Sequence, residues 1–181
     1  TTPDGVSVVT VKDRHGQTLT ITDGTGAVTR HSYNKDGQLL TRQDGLNQVT
    51  TNAYDTAGRL LTVTDALGRV TRYGYDAVNR VLTRTDATNG VTRYSFDGQG
   101  RQVRVVDAEG KAEQRITDYA YDRKGQLLRV TQDPGGLNIT TSYSYDGVGQ
   151  QVQVMRGTGA SPNQQVTLYA FDKLGVRTRA G

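Results

Sequence analysis

Carboxylates are the side chains here whose number and spacing could do chemistry. Of 18 acidic residues only Glu109 and Glu113 are Glu; all others are Asp, and they recur in step. One series runs Asp55, Asp76, Asp97, Asp122, Asp146 and Asp172, and a second runs Asp23, Asp44, Asp65, Asp86, Asp107 and Asp133. Periodic carboxylates could bind calcium or, as an unlike pair, cleave a glycosidic bond. Neither chemistry fits. The acids lack the Asp-x-Asp-x-Asp clustering of a calcium loop, and they are equivalent copies, each opening an Asp-x-x-Gly step. Their expected work is to accept backbone N–H groups inside a turn, while Gly or Asn takes the positive φ that closes it. The two histidines, His15 and His31, have no partners at zinc or triad spacing, and Cys is absent. The sequence therefore offers no catalytic residue, metal ligand or cofactor site, and reads as non-enzymatic.

The elements that position these residues form a repeat. An aromatic-to-Gly step recurs as Tyr33–Gly37, Tyr54–Gly58, Tyr75–Asn79, Phe96–Gly100, Tyr121–Gly125, Tyr145–Gly149 and Phe171–Gly175. A degenerate copy occupies Lys12–Gly16. From Gly16 to Gly100 the step is 21 residues four times over, then 25, 24 and 26. The anchors thus fall at 12–16, 33–37, 54–58, 75–79, 96–100, 121–125, 145–149 and 171–175. Residues 1–181 read as a single array. With the second Asp series about halfway along, each unit is turn, strand, turn, strand: an antiparallel meander. Turns are expected at 34–37, 44–47, 55–58, 65–68, 76–79, 86–89, 97–100 and 107–110. The extra residues after Gly110, near Asp133 and between Met155 and Asn163 are expected to form bulges or longer loops. Tyr54, Tyr75, Phe96, Tyr121 and Tyr145 share one register and are expected to stack as a row on one face. Tyr73, Tyr94, Tyr119 and Tyr143 lie two residues before them, on the same face.

Composition agrees. Thr appears 26 times, Val 20, Gly 22 and Tyr 10, with one Met and no Trp. Val, Thr and Tyr suit pleated strands and Asp and Gly suit turns, which excludes a helical fold. The net charge of +4 comes from 17 Arg and 5 Lys scattered along the strands. Nucleic-acid binders gather such charge on one face, so no nucleic-acid partner is expected. Arg59, Arg80 and Arg101, with Gln17, Gln38, Gln126 and Gln150, form a row beside the turns. That row reads as a solvated margin, or as a groove for phosphate or sugar. No apolar run approaches the ~20 residues of a membrane helix. The opening residues resemble mid-chain strand and turn, so a section of a longer protein is expected.

The copies Tyr54-Asp55-x-x-Gly58-Arg59-Leu60, Tyr75-Asp76, Tyr121-Asp122-x-x-Gly125-Gln126-Leu127 and Tyr145-Asp146 resemble the YD repeats of the Rhs family. The resemblance implies an all-β chain, an open section of a spiralling, hollow β-shell. In bacterial Rhs effectors and Tc toxin C components such a shell encloses a toxic C-terminal polypeptide. Similar repeats occur in bacterial wall-associated proteins and teneurins. The implied function is a structural shell section of a secreted or cell-surface bacterial toxin, for example a type VI effector. Its partners would be the enclosed polypeptide and flanking repeats. The alternative is a surface module for carbohydrate or a partner protein. Asp133-Pro134-Gly135-Gly136-Leu137 resembles the Asp-Pro-x-Gly-Leu of the family's autoproteolytic core, but it falls in a mid-repeat slot and reads as a turn. Terminal strands near Val6–Val11 and Gln165–Phe171 are expected to be bare edges prone to self-association.

Overall fold

The computed structural model describes residues 8–158, 165–171 and 177–180, all of it strand, turn and loop. The chain divides into two compact units, Thr1–Asn89 and Gly90–Gly181. The first carries β1 (Val9–Lys12), β2 (Thr18–Thr22), β3 (Val28–Tyr33), β4 (Leu39–Gln43), β5 (Val49–Tyr54), β6 (Leu60–Thr64), β7 (Val70–Tyr75) and β8 (Val81–Thr85). The second carries β9 (Val91–Phe96), β10 (Gln102–Asp107), β11 (Arg115–Tyr121), β12 (Leu127–Gln132), β13 (Ile139–Tyr145), β14 (Gln151–Thr158), β15 (Gln165–Phe171) and β16 (Arg177–Ala180). Within each unit every strand pairs antiparallel with its sequence neighbours, giving an open meander. Asp172, Gly175, Val6 and the insertion at 159–164 lie outside the described residues.

The strands follow their residue types, and their ends follow the turns. Seven of the eight expected turns close where Asp, or Asn34, meets Gly or Asn three residues on. Gly37, Asn47, Gly58, Gly68, Asn79, Asn89 and Gly100 each donate their N–H to the carbonyl of that first residue at 2.9–3.2 Å. Asn79 sits at φ 67° and Gly58 at 82°, the left-handed conformation that lets a type I turn re-enter a right-twisted hairpin. The turn at 107–110 departs from the rule. Asp107 still belongs to β10, and its carboxylate binds Thr92 and Arg115 at 2.9 Å each. Ala108 and Gly110 take the positive φ instead, because the residues inserted after Gly110 lengthen the connection to β11. The loop at Asp133 is also longer: its carbonyl accepts from Gly136 and Asn138, and its carboxylate accepts from Leu137.

One regular feature has no counterpart in the expected turns. Every aromatic hairpin carries a β-bulge, with Tyr33 opposite Leu39 but Ser32 opposite Thr41, and Tyr54 opposite Leu60 but Ala53 opposite Thr62. The same shift recurs at Tyr75, Phe96, Tyr121 and Tyr145. The extra residue is Leu40, Leu61, Leu82, Val103, Leu128 or Val152. Two residues then oppose one, and the ladder is interrupted at that point.

No described residue is fully buried, apolar or polar. The core that stabilises an ordinary domain of this length is missing, and neighbouring strands and turns must hold each other.

Candidate functional site

The margin of aromatic hairpins is where the polar chemistry of the chain converges. Each hairpin is built from its Asp outward. The Asp55 Oδ1 accepts the N–H groups of Ala57 and Arg59 at 2.9 and 2.8 Å, and its Oδ2 takes the Arg59 Nε at 2.7 Å. Asp76 does the same with Val78, Arg80 and the Arg80 Nε, and Asp97 with Gln99, Arg101 and the Arg101 Nε. The carboxyl pKa falls below its ordinary value at all three. At Asp55 the Arg59 N–H and guanidinium are the leading causes. At Asp76 and Asp97 partial desolvation pushes upward, and the backbone and arginine bonds outweigh it. These Asp residues are turn organisers, saturated by their own loops.

Two further contacts tie each hairpin to its neighbours. The tyrosine hydroxyl reaches back one repeat. Tyr33, Tyr54 and Tyr75 donate to the carbonyls of Thr18, Leu39 and Leu60 at 2.9, 2.9 and 2.8 Å. Tyr121 and Tyr145 donate likewise to Gln102 and Leu127, at 2.9 and 2.8 Å. Each acceptor is the residue paired with the previous anchor, immediately before the extra residue of the bulge, so bulge and phenol form one device. Partial burial of the Tyr75 and Tyr145 rings raises their phenol pKa.

The arginine reaches forward. Arg59 donates from Nη1 to the Asp76 carbonyl at 3.2 Å and to the Asn79 side-chain oxygen at 3.1 Å, with its guanidinium 4.9 Å from the Tyr75 ring centre. Arg101 donates to the Asp122 carbonyl at 2.8 Å and lies 4.8 Å from the Tyr121 ring. Where Gln replaces Arg, Gln38 donates to the Gly58 carbonyl at 2.7 Å and Gln126 to that of Gly149 at 3.3 Å. At these four positions the row bridges hairpins rather than opening as a groove, with the Arg59 and Arg101 side chains only 30% and 27% exposed. What lies over the Tyr75 and Tyr121 rings is a guanidinium of the preceding hairpin. The spacing of Arg59 to Tyr75, 16 residues, was the available signal.

The family model described as RHS Repeat matches residues 54–91 and again 75–112. Residues 54–112 match RHS repeats. The matched copies hold the Asp55, Asp76 and Asp97 turns and the Arg59 bridge. The fold of the chain is shared with solved toxin assemblies. The crystal structure of TcdB2-TccC3-Cdc42 aligns over 92% of this chain with a TM-score of 0.79 and 22% identity, and that of TcdB2-TccC3 without its hypervariable C-terminal region over 96%, at 0.77 and 20%. A Photorhabdus luminescens Tc holotoxin pore aligns over 96% at 0.54 and 15%. This chain spans 10%, 10% and 13% of the length of those chains. No curated protein sequence matches.

The two histidines add no catalytic or metal-binding constellation to this margin among the described residues. His15 is an exposed turn residue with Nδ1 3.7 Å from Asp13. The Nδ1 of His31 is enclosed without a hydrogen-bond partner. Among the described residues no three of His, Asp and Glu gather as metal ligands, and no helix is long and apolar enough to cross a membrane.

Proposed function

We infer that this chain is a structural section of a toxin shell, part of one continuous array within a longer exported bacterial protein. Its repeats form wall, and the wall holds a C-terminal toxic polypeptide apart from the producing cell until delivery, in the manner of a type VI or similar effector. The observation that carries this reading is the direction of the strong contacts. Tyrosine, arginine and bulge residues are spent on joining one RHS repeat to the next, which suits a surface that extends rather than a site that turns over substrate. The Asp–Arg pairs are engaged within that frame, and the work is non-enzymatic.

The intact protein provides the test. Limited proteolysis of the full-length product should leave its C-terminal polypeptide uncut, and deleting residues 33–95, three whole 21-residue repeats, should expose it. Equal cleavage before and after the deletion sinks the reading. A second reading, a surface module for carbohydrate, draws on the half-exposed tyrosine faces of the early repeats. Titration of the chain with neutral oligosaccharides, followed by tyrosine ring shifts, decides that one.

A further inference from the structure

Three arginines in the second unit are matched by carboxylates. Arg93 grips both oxygens of Glu109 at 2.9–3.0 Å, Arg104 both oxygens of Asp118 at 2.6 and 2.7 Å, and Arg115 one oxygen of Asp107 at 2.9 Å. Arg129 is not matched. On β12 it stands opposite Ala120 and Ser142, neither of which can neutralise it. Its diagonal neighbour on the same face is Asp118, whose two oxygens are already taken by Arg104. A cleft of about 380 Å³ opens beside it, lined by Arg129, Asp118, Thr131, Thr140, Pro134 and Asn138 among others. Pro134 and Asn138 belong to the 133–138 connection, which has six residues where a regular mid-repeat turn such as 65–69 has five. This connection does not close on itself in the regular way. The Asp133 N–H goes to the Ile116 carbonyl of β11 at 2.8 Å, whereas the Asp65 N–H goes to Arg69 within its own turn. In repeat arrays such local insertions are where binding loops arise. The side chains of Arg129, Thr131, Thr140 and Asn138 have no partner among the described residues. The cleft therefore carries one uncompensated cation beside unused hydroxyl and amide groups.

We propose that this cleft takes the carboxylate of a glutamate or aspartate carried by an extended peptide. Arg129 supplies the fork that Arg93 and Arg104 turn on Glu109 and Asp118, a geometry matched to the two oxygens of a carboxylate. The Asn138 amide and the threonine hydroxyls both donate and accept, so they serve the peptide groups on either side. Those further bonds are needed, because an exposed ion pair alone contributes little. Arg104 already balances Asp118, so the single surplus charge of the cleft matches a single carboxylate. A phosphate dianion would bring a second negative charge towards Asp118, and a neutral sugar would leave Arg129 without a counter-charge. The proposal stands whether or not the chain encloses a cargo.

The probe is acetyl-Ala-Ala-Glu-Ala-Ala-amide, titrated into the 181-residue chain and followed by the Arg129 side-chain N–H and Asn138 side-chain amide shifts. It should bind at least about tenfold tighter than its glutamine isostere, as a charge-assisted fork requires. Arg129→Gln should erase that difference, and Arg129→Lys should keep only part of it. Because Arg129 is exposed, both variants should melt with the parent. Ala120→Asp places a carboxylate opposite Arg129, as Asp118 stands opposite Arg104. It should keep or raise the melting temperature and abolish the preference for the glutamate peptide. Acetate alone should bind more weakly than the peptide. Equal binding of the two peptides, an undiminished preference in Arg129→Gln or Ala120→Asp, or displacement by equimolar acetate, inorganic phosphate or neutral oligosaccharide overturns the proposal.

Discussion

Tyr75 illustrates how one side chain can matter in a protein without a buried core. Its ring is covered on one face by the Arg59 guanidinium, and its hydroxyl caps the Leu60 carbonyl. Removing the hydroxyl alone, in Tyr75→Phe, should cost about 1 kcal/mol, the net value of one hydrogen bond. Tyr75→Ala should cost about 2 kcal/mol, below the range for a wholly enclosed aromatic because the ring is half-buried. Urea titration of both variants measures the two losses, and an equal loss in both would show that the ring itself contributes nothing. Gly58 makes the complementary case. At φ +82°, with the Gln38 amide 3.1 Å from where a Cβ would stand, Gly58→Ala should lose about 1–2 kcal/mol. Gly58→Asn should lose distinctly less, since Asn79 already holds the same turn position at φ 67°. That substitution pattern was legible in the sequence, because Asn47, Asn79 and Asn89 stand in Gly slots. The Arg59 bridge showed only as the 16-residue spacing from Arg59 to Tyr75, and charge scattered along strands does not by itself say which guanidinium has a ring beneath it.

At the scale of the element, the aromatic hairpin is an electrostatic as well as a geometric unit. Asp55, Asp76 and Asp97 in the aromatic hairpins, and Asp65 in the turn between two of them, all have carboxyl pKa values lowered in the fold from an ordinary 3.8. A lowered folded value means that the charged form stabilises the fold above the unfolded pKa, and that this contribution is lost as pH falls through the folded one. The melting temperature should therefore be flat from pH 7 to about 5 and decline below pH 3.8. A melting temperature unchanged down to pH 2 would show that the carboxylates are idle. High salt should weaken the arginine share and spare the backbone share, which is short-range. The turns could be placed from sequence because Asp-x-x-Gly states its own hydrogen bonds. The bulges could not be placed from turn chemistry, although the consecutive pairs Leu39-Leu40, Leu60-Leu61 and Leu127-Leu128 break strict alternation. Such pairs are the mark of two residues facing one.

For the molecule as a whole, stability without enclosure places the weight on exposed strand margins. β1 pairs with β2 alone among the described residues, and Val8, Val9 and Val11 are 53, 56 and 50% exposed. This is an apolar edge with few charges to discourage pairing. Val6, expected in the same edge, lies outside the described residues. The second expected edge, Gln165–Phe171, is corrected by the fold: β15 lies between β14 and β16, which pairs through Tyr169, Ala170 and Phe171. Self-association of the isolated chain should therefore proceed through β1. Sedimentation over a concentration series should show it in the parent and find it reduced in Val9→Lys. Identical association of the two would move the contact elsewhere.

The tyrosine that reaches back and the arginine that reaches forward share a consequence for synthesis. Where a hairpin's carbonyl receives the next tyrosine and its arginine reaches the next turn, as at Leu60 and Arg59, both bonds close only when the following hairpin exists, so such a repeat leaves the ribosome unfinished and is completed by its successor. Growth of the wall is then vectorial, from amino to carboxyl end, like tiles laid in courses. At ordinary elongation rates a 21-residue course emerges roughly every one to four seconds, slow beside the microseconds in which a hairpin forms. The nascent chain carries one open course at a time, and the translation clock, rather than a search among equivalent repeats, keeps the tyrosines in register.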